Sequence, residues 1–120
     1  MLINLTNHPW EKWDEAQKEQ AKKYYGEVID IPFPNIPPTA SAYEVEELAN
    51  KYFEKIVPYA FDNLDAVHIQ GEFTFTFRLV NILLSNNIKC IASTTERIMT
   101  ENPDGTRTYK FRFVRFREYI

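Results

Sequence analysis

"AVHIQGEFTFTFRLVNILLSNNIKCIAS", residues 66–93, carries the pattern on which the fold prediction depends. The apolar run 66–72 predicts a buried strand, and "IKCIAS", residues 88–93, predicts another. Residues 73–84 between them are ambiguous, because they begin with alternating apolar residues but also keep helical spacing. We predict a helix there, since Gly71 interrupts the strand and a crossover is needed before the next one. Such strand-helix-strand units build parallel sheets.

The same alternation runs through the rest of the chain. The patterns before residue 66 predict a strand over 2–5, a helix over 13–25 that stops at Gly26, a strand over 27–34 and a helix from the N-cap Ser41 to about Tyr59. Near the end, Asp104-Gly105 predicts a hairpin turn. The chain therefore predicts an α/β fold in a single domain, residues 1–120, with a Rossmann-like, mainly parallel sheet, helices on both faces and a C-terminal β-hairpin.

The composition narrows the class of protein. A chain of 120 residues with 44% apolar residues suffices for one packed core and argues against disorder. Neither a signal peptide nor an apolar run of membrane-spanning length is present, so no membrane association is expected. The one cysteine, Cys90, has apolar neighbours, which predicts a buried thiol and a cytoplasmic protein.

Charge is divided unevenly along the chain. Residues 1–77 carry 13 acids and 6 lysines, whereas residues 78–120 carry 4 acids, 2 lysines and all 6 arginines. An arginine fork suits phosphate or carboxylate, although a solvated charged strand would look the same. Because the net charge is −3, a duplex nucleic acid partner is not expected.

Polar residues gather where the predicted parallel strands end. In such sheets, ligands bind outside the carboxyl ends of the strands, where strand order reverses. The residues in these positions are Asn7 and His8 after the first strand, Gln70, Gly71, Glu72 and Thr74 after the third, and Ser93, Thr94, Thr95, Glu96 and Arg97 after the fourth. Hydroxyls, amides and an arginine suit phosphate, as would backbone amides of a helix beginning near Thr74. The sequence therefore predicts a phosphate-containing ligand at this edge.

Each candidate also has a structural interpretation. Asn7 and His8 could belong to a turn, His68 could be a hydrogen-bonded core residue, and the run 93–95 could cap a helix. Glu72 and Glu96 could pair with Arg97 or Arg78. The sequence contains neither an HEXXH nor a CXXC motif, so no metal site and no cofactor is predicted. No spacing supports a Ser-His-Asp triad.

Three stretches resemble a known family. "INLTNHP" (3–9), "HIQGEFTF" (68–75) and "CIASTTER" (90–97), together with the ending "FVRFREY" (113–119), are similar to small CRISPR-associated proteins related to CARF domains and ring nucleases. The resemblance implies a Rossmann-like homodimer that binds cyclic oligoadenylate across the dimer cleft and cleaves it without metal. By position, Asn7 and His8 would match the turn after the first strand, and residues 93–97 the segment beside the ligand.

Cleavage of this kind requires little covalent chemistry from the protein. A ribose 2′-hydroxyl attacks its own 3′-phosphate, so the enzyme aligns the attack and stabilises charge. In this scheme His8 moves a proton, Arg97 stabilises the phosphate and Glu72 orients a ribose hydroxyl.

Three hypotheses follow. The first is a dimeric ring nuclease for a cyclic oligoadenylate, cyclic tetra-adenylate above all, and the second is a module that binds the nucleotide without cutting it. The third is an interaction protein whose arginine face docks an acidic partner.

Overall fold

The computed structural model describes residues 1–59 and 62–120. The strands are β1 (Leu2–Thr6), β2 (Val28–Asp30), β3 (Ala66–Gln70), β4 (Lys89–Glu101) and β5 (Arg107–Glu118). The α-helices are α1 (Glu15–Tyr25), α2 (Ala42–Ile56) and α3 (Phe73–Ser85), with 3-10 helices at Trp10–Lys12 and Val57–Tyr59. Within these residues the predicted strand-helix alternation is confirmed.

The strands form one sheet in the order β2-β1-β3-β4-β5. β1 runs parallel to β2 and β3, and β3 runs parallel to β4. Among the strands of the described residues, β5 alone is antiparallel, because a hairpin connects it to β4. The mainly parallel α/β fold with a C-terminal hairpin is therefore confirmed.

Helices cover both faces of the sheet, as predicted. Side chains alternate along each strand, so Ile3 and Val67 pack with α2 and α3 on one face. Leu2 and Ala66 instead pack with Trp13 and the α1 side of the molecule. The Cys90 thiol is buried in the first core, where burial raises its pKa to about 12.

The second strand is shorter than predicted. β2 ends at Asp30, whereas the sequence predicted a strand over 27–34. Pro32 and Pro34 lack the backbone N–H that a ladder requires, so the chain leaves the sheet before them. The ring of Phe33 then lies edge-on to Phe75, with ring centroids 5.2 Å apart.

The fourth strand is much longer than predicted. The prediction that it ends at residue 93 is wrong, because β4 continues to Glu101 and pairs with β5 as far as Arg107. No helix follows the run 93–95, so these residues cap nothing. The ladder contains one irregularity, a β-bulge between Thr94 and Thr95.

Side chains determine where the helices begin. α1 begins at Glu15 because the Asp14 side chain accepts a hydrogen bond from the Gln17 backbone N–H. α2 begins after Ser41, which forms a reciprocal capping box with Glu44. Among the described residues, no helix is long and apolar enough to cross a membrane.

The backbone at Gly71 lies so close to Phe33 that a Cβ at this position would overlap the Phe33 ring. Gly71→Ala should displace the ring from Phe75 and lower the free energy of unfolding by about 1–3 kcal/mol. Denaturant unfolding measures this change.

The control for this substitution is a double-mutant cycle with Phe33→Ala. Because the ring is then absent, Gly71→Ala should cost much less in that background. An equal cost in both backgrounds would show that the Phe33 ring is not the cause.

Candidate functional site

A cleft of about 470 Å³ opens at the carboxyl ends of β1 and β3. β2 lies on one side of β1 and β3 on the other, so strand order reverses at this point, as in nucleotide sites of open α/β sheets. Of the residues predicted to form a site, the cleft is lined by Asn7, His8, Gln70, Gly71, Ser93 and Thr95. The structure thus brings six predicted residues from three strands together.

Glu72 and Thr74 are not among the residues that line this cleft. The Glu72 carboxylate accepts hydrogen bonds from the Thr74 hydroxyl and from the backbone N–H groups of Thr74 and Phe75, at 2.6 to 3.0 Å. The bond from the Thr74 hydroxyl and those from the two amides lower the pKa of Glu72. The amides predicted to bind phosphate are therefore already paired with a carboxylate.

Three residues of β4 also lie outside the cleft lining. The Thr94 hydroxyl donates to the Arg115 backbone carbonyl (3.0 Å). Glu96 forms an ion pair with Arg112 instead of the predicted partners. The Arg97 guanidinium lies over the Tyr109 ring, 4.7 Å from its centroid.

Beneath the cleft, side-chain hydrogen bonds link β1, β3 and β4. His68 pairs with Asn4 in the β1–β3 register, and its Nδ1 lies 2.9 Å from Asn4 Oδ1. Its Nε2 lies 2.7 Å from Ser93 Oγ on β4. Asn4 and His68 are only 1% and 2% exposed, so water cannot replace these partners.

The partners of Asn4 fix which nitrogen of His68 carries the proton. Asn4 Nδ2 donates to the His8 carbonyl and to Asp30 Oδ1, both at 2.8 Å, so its Oδ1 is the acceptor. His68 Nδ1 must then donate to that oxygen. In the neutral ring Nε2 is an acceptor, and Ser93 donates its hydroxyl proton to it.

Burial holds the His68 ring in the neutral form. The rings of Trp13 and Phe116 meet it edge-on, with centroids 5.3 and 5.5 Å away. This desolvation lowers the pKa of His68 to about 4. At neutral pH the imidazole is therefore a hydrogen-bond acceptor at Nε2.

Two glutamine side chains position Ser93. The Gln70 amide accepts from the Ser93 N–H (2.9 Å) and donates to the Ser93 carbonyl (3.1 Å), which bridges β3 and β4 where their ladder stops. Gln17 Nε2 of α1 donates to Ser93 Oγ at 3.0 Å. A hydroxyl has two acceptor positions, so one remains after the Gln17 bond. Because Ser93 lines the cleft, that position can accept a ligand hydroxyl.

The charged groups of the cleft come from the segment that precedes α1. Lys12 and Asp14 line it, and the His8 side chain is exposed there. The Asp14 carboxylate is occupied, because it caps α1 and accepts from the Phe113 backbone N–H at 3.2 Å. Among the described residues, the basic side chain that lines this cleft is Lys12. The sequence had predicted Arg97 in this role.

Sequence analysis missed Asn4, Lys12 and Gln17, and treated His68 as a core residue. One signal was present, because Asn4 and His68 are polar residues inside otherwise apolar strands. Parallel pairing of these strands places both on one face. Within residues 1–59 and 62–120, no group of three His, Cys, Asp or Glu side chains is placed to hold a metal ion.

The lowered pKa of His68 predicts how stability depends on pH. Between about pH 6.5 and about pH 4 the unfolded histidine binds a proton that the folded one does not. The free energy of unfolding should therefore fall as pH falls through this window, by roughly 3 kcal/mol from this group. Denaturant unfolding at pH 7 and pH 4.5 measures the change.

His68→Gln is the comparison, since its side chain does not titrate. Asp65 and Glu72 also have lowered pKa values, but they are present in both proteins and cancel in the difference. Identical pH dependence in the two proteins would contradict the assignment.

Comparison of the sequence with known proteins identifies the family of this chain. The model described as "Uncharacterized protein MJ1673 family" matches residues 1–117. "Uncharacterized protein MJ1673" of Methanocaldococcus jannaschii is 35% identical over 88 residues, which are 71% of this chain and 66% of that protein. No solved structure matches the chain at a significant level. Since the family model covers nearly all of it, the chain belongs to the MJ1673 family.

Proposed function

We propose that the protein is a ring nuclease that binds and cleaves a cyclic oligoadenylate, cyclic tetra-adenylate above all, in type III CRISPR antiviral signalling. The sequence resemblance to CARF-related proteins supports this class of ligand. The observation that carries the proposal is the convergence of Asn7, His8, Ser93 and Thr95 on one cleft at the switch point of the sheet.

The cleft contains groups suited to cleavage by an internal ribose hydroxyl. Lys12 supplies positive charge for a phosphate, and the amide of Asn7 and the hydroxyl of Thr95 supply hydrogen bonds. In this scheme the exposed imidazole of His8, which lines the cleft, gives a proton to the departing 5′ oxygen. The attack creates a 2′,3′-cyclic phosphate and needs no external water, so metal is not required in this scheme.

A binding module is the second candidate. The positions of Glu72 and Arg97 favour this candidate. They are two of the three residues for which the sequence predicted a catalytic role. One caps α3 and the other lies over Tyr109, outside the cleft lining. A cleft that retains the ligand without cutting it would act as a sensor or a sink.

We also propose a cytoplasmic homodimer. The cleft volume lies within the range of about 300–1,000 Å³ typical of pockets for one drug-sized ligand. A ring of four nucleotides is larger, so one cleft covers part of it and a two-fold partner covers the rest. Exposed aromatic residues on the hairpin, Tyr109 (46%) and Phe111 (70%), offer apolar surface for such a contact.

Cleavage is the direct test. Purified protein in excess EDTA should convert cyclic tetra-adenylate to linear products with 2′,3′-cyclic phosphate ends, which mass spectrometry identifies. His8→Ala should slow the reaction of bound ring by about 10²–10⁴-fold. Lys12→Ala should weaken binding, whereas Lys51→Ala on α2 is the matched control and should not.

The outcomes separate the candidates. Binding without cleavage over hours, in EDTA and in added manganese alike, would favour the binding module. A protein that neither binds nor cleaves any ring size would contradict both candidates.

Assembly is tested by light scattering. The 14.2 kDa chain should have twice that mass at micromolar concentration, either alone or after addition of cyclic tetra-adenylate. A monomer under both conditions would count against a shared ligand site.

A further inference from the structure

We infer that Ser93 and His68 form a proton relay for the attacking hydroxyl, an inference that rests on the proposed cleavage. In this relay the ligand hydroxyl donates to Ser93 Oγ, and Ser93 donates to His68 Nε2. The two are already hydrogen-bonded at 2.7 Å in the floor of the cleft. Neither residue received a catalytic role from the sequence.

The geometry gives the relay a direction. Asn4 accepts from His68 Nδ1, so the free electron pair of the imidazole points toward Ser93. Ser93 consequently donates its hydroxyl proton to His68. One acceptor position of its oxygen remains for the ligand hydroxyl, since Ser93 lines the cleft. The order of groups is that of a Ser-His-Asp triad with Asn4 in the aspartate position. Ser93 here transfers a proton and forms no covalent bond.

The reaction balances without an external reactant. The 2′ oxygen forms a bond to phosphorus as its proton passes to Ser93 Oγ and the serine proton passes to His68 Nε2. The bond between phosphorus and the 5′ oxygen breaks, and that oxygen takes a proton from His8 or from water. After the product leaves, His68 returns its proton through Ser93 to solvent, and His8, where it was the donor, takes up a proton from solvent.

The charges around the His68 ring affect its protonation when ligand is present. Asp30 accepts a hydrogen bond from Asn4, and Lys12, Asp14 and His8 line the same cleft as His68. Within the described residues the hydrogen-bond partners of the ring are Asn4 and Ser93, and neither is a carboxylate. A bound phosphate would add negative charge near the ring. Opposite charge favours the protonated form, so ligand binding should raise the pKa of His68 from its low resting value.

The experiment separates binding from chemistry. Equilibrium binding and single-turnover cleavage of cyclic tetra-adenylate are measured for wild type, Ser93→Ala, Ser93→Thr and His68→Gln. Ser93→Ala should weaken binding by no more than about tenfold, the loss of one neutral hydrogen bond, and should cleave about 10²–10⁴-fold more slowly. Ser93→Thr keeps the hydroxyl and should recover most of the rate. Ser85→Ala is the matched control, because its hydroxyl lies on the exposed end of α3.

Two further readouts would not respond to a merely structural role. The rate in wild type should fall as pH is lowered through the pKa of His68 in the complex, because protonation removes the Nε2 acceptor. This acid limb should disappear in His68→Gln. Nitrogen-15 NMR of histidine-labelled protein at pH 7 should show the proton on Nδ1, and the His68 titration should move to higher pH when the ring nucleotide binds.

Each outcome decides between the claims. Wild-type cleavage rates in folded Ser93→Ala or His68→Gln, or a proton on Nε2 of His68, would overturn the relay and leave the proposed function standing. Binding without any cleavage by wild type would overturn the relay and favour the binding module. Failure of wild type to bind any cyclic oligoadenylate would overturn the proposed function, and the relay with it.

Discussion

The hydrogen bond between Asn4 and His68 is the constraint on which the rest of the site depends. It joins two side chains that are almost fully desolvated, on the two central parallel strands. A buried polar group without a partner is costly, so each side chain requires the other in register. A shift of the strand register by one residue would turn the side chains of Asn4 and His68 to the other face of the sheet, into the apolar core beneath α2 and α3. Once the pair is formed, Ser93 and Gln17 extend it to β4 and α1.

Much of the fold could be predicted because its signals are local. Helical spacing in residues 73–84, the N-cap at Ser41 and the turn at Asp104-Gly105 are properties of short segments, and each leads to the element observed. The position of the cleft followed from the parallel order of the strands. Six predicted site residues line it for that reason, and not because any of them was recognised individually.

The sequence could not predict what depends on pairing between distant segments. β4 continues past Ser93 because β5 supplies a partner, and local pattern does not report how long a hairpin ladder lasts. Glu72 looked available for a ligand, yet α3 begins next to it and uses the carboxylate as a cap. His68 was correctly seen as a buried, hydrogen-bonded residue, but its acceptor nitrogen is directed at Ser93 by Asn4, which lies 64 positions away.

The length of the hairpin has a mechanical consequence. Within the part of the chain that the structure describes, β4 from Thr95 to Glu101 pairs with β5 and with no other strand. By strand geometry this arm of the hairpin is about 20 Å long. The base of this arm lies beside the cleft. There the Asp14 carboxylate, at the start of α1, accepts a hydrogen bond from the Phe113 N–H, next to the bulge. A rotation of the arm by about 10° at its base would displace its tip by about 3 to 4 Å. The base of the hairpin therefore lies at the cleft and its tip far from it, so a displacement at the base would be larger at the tip.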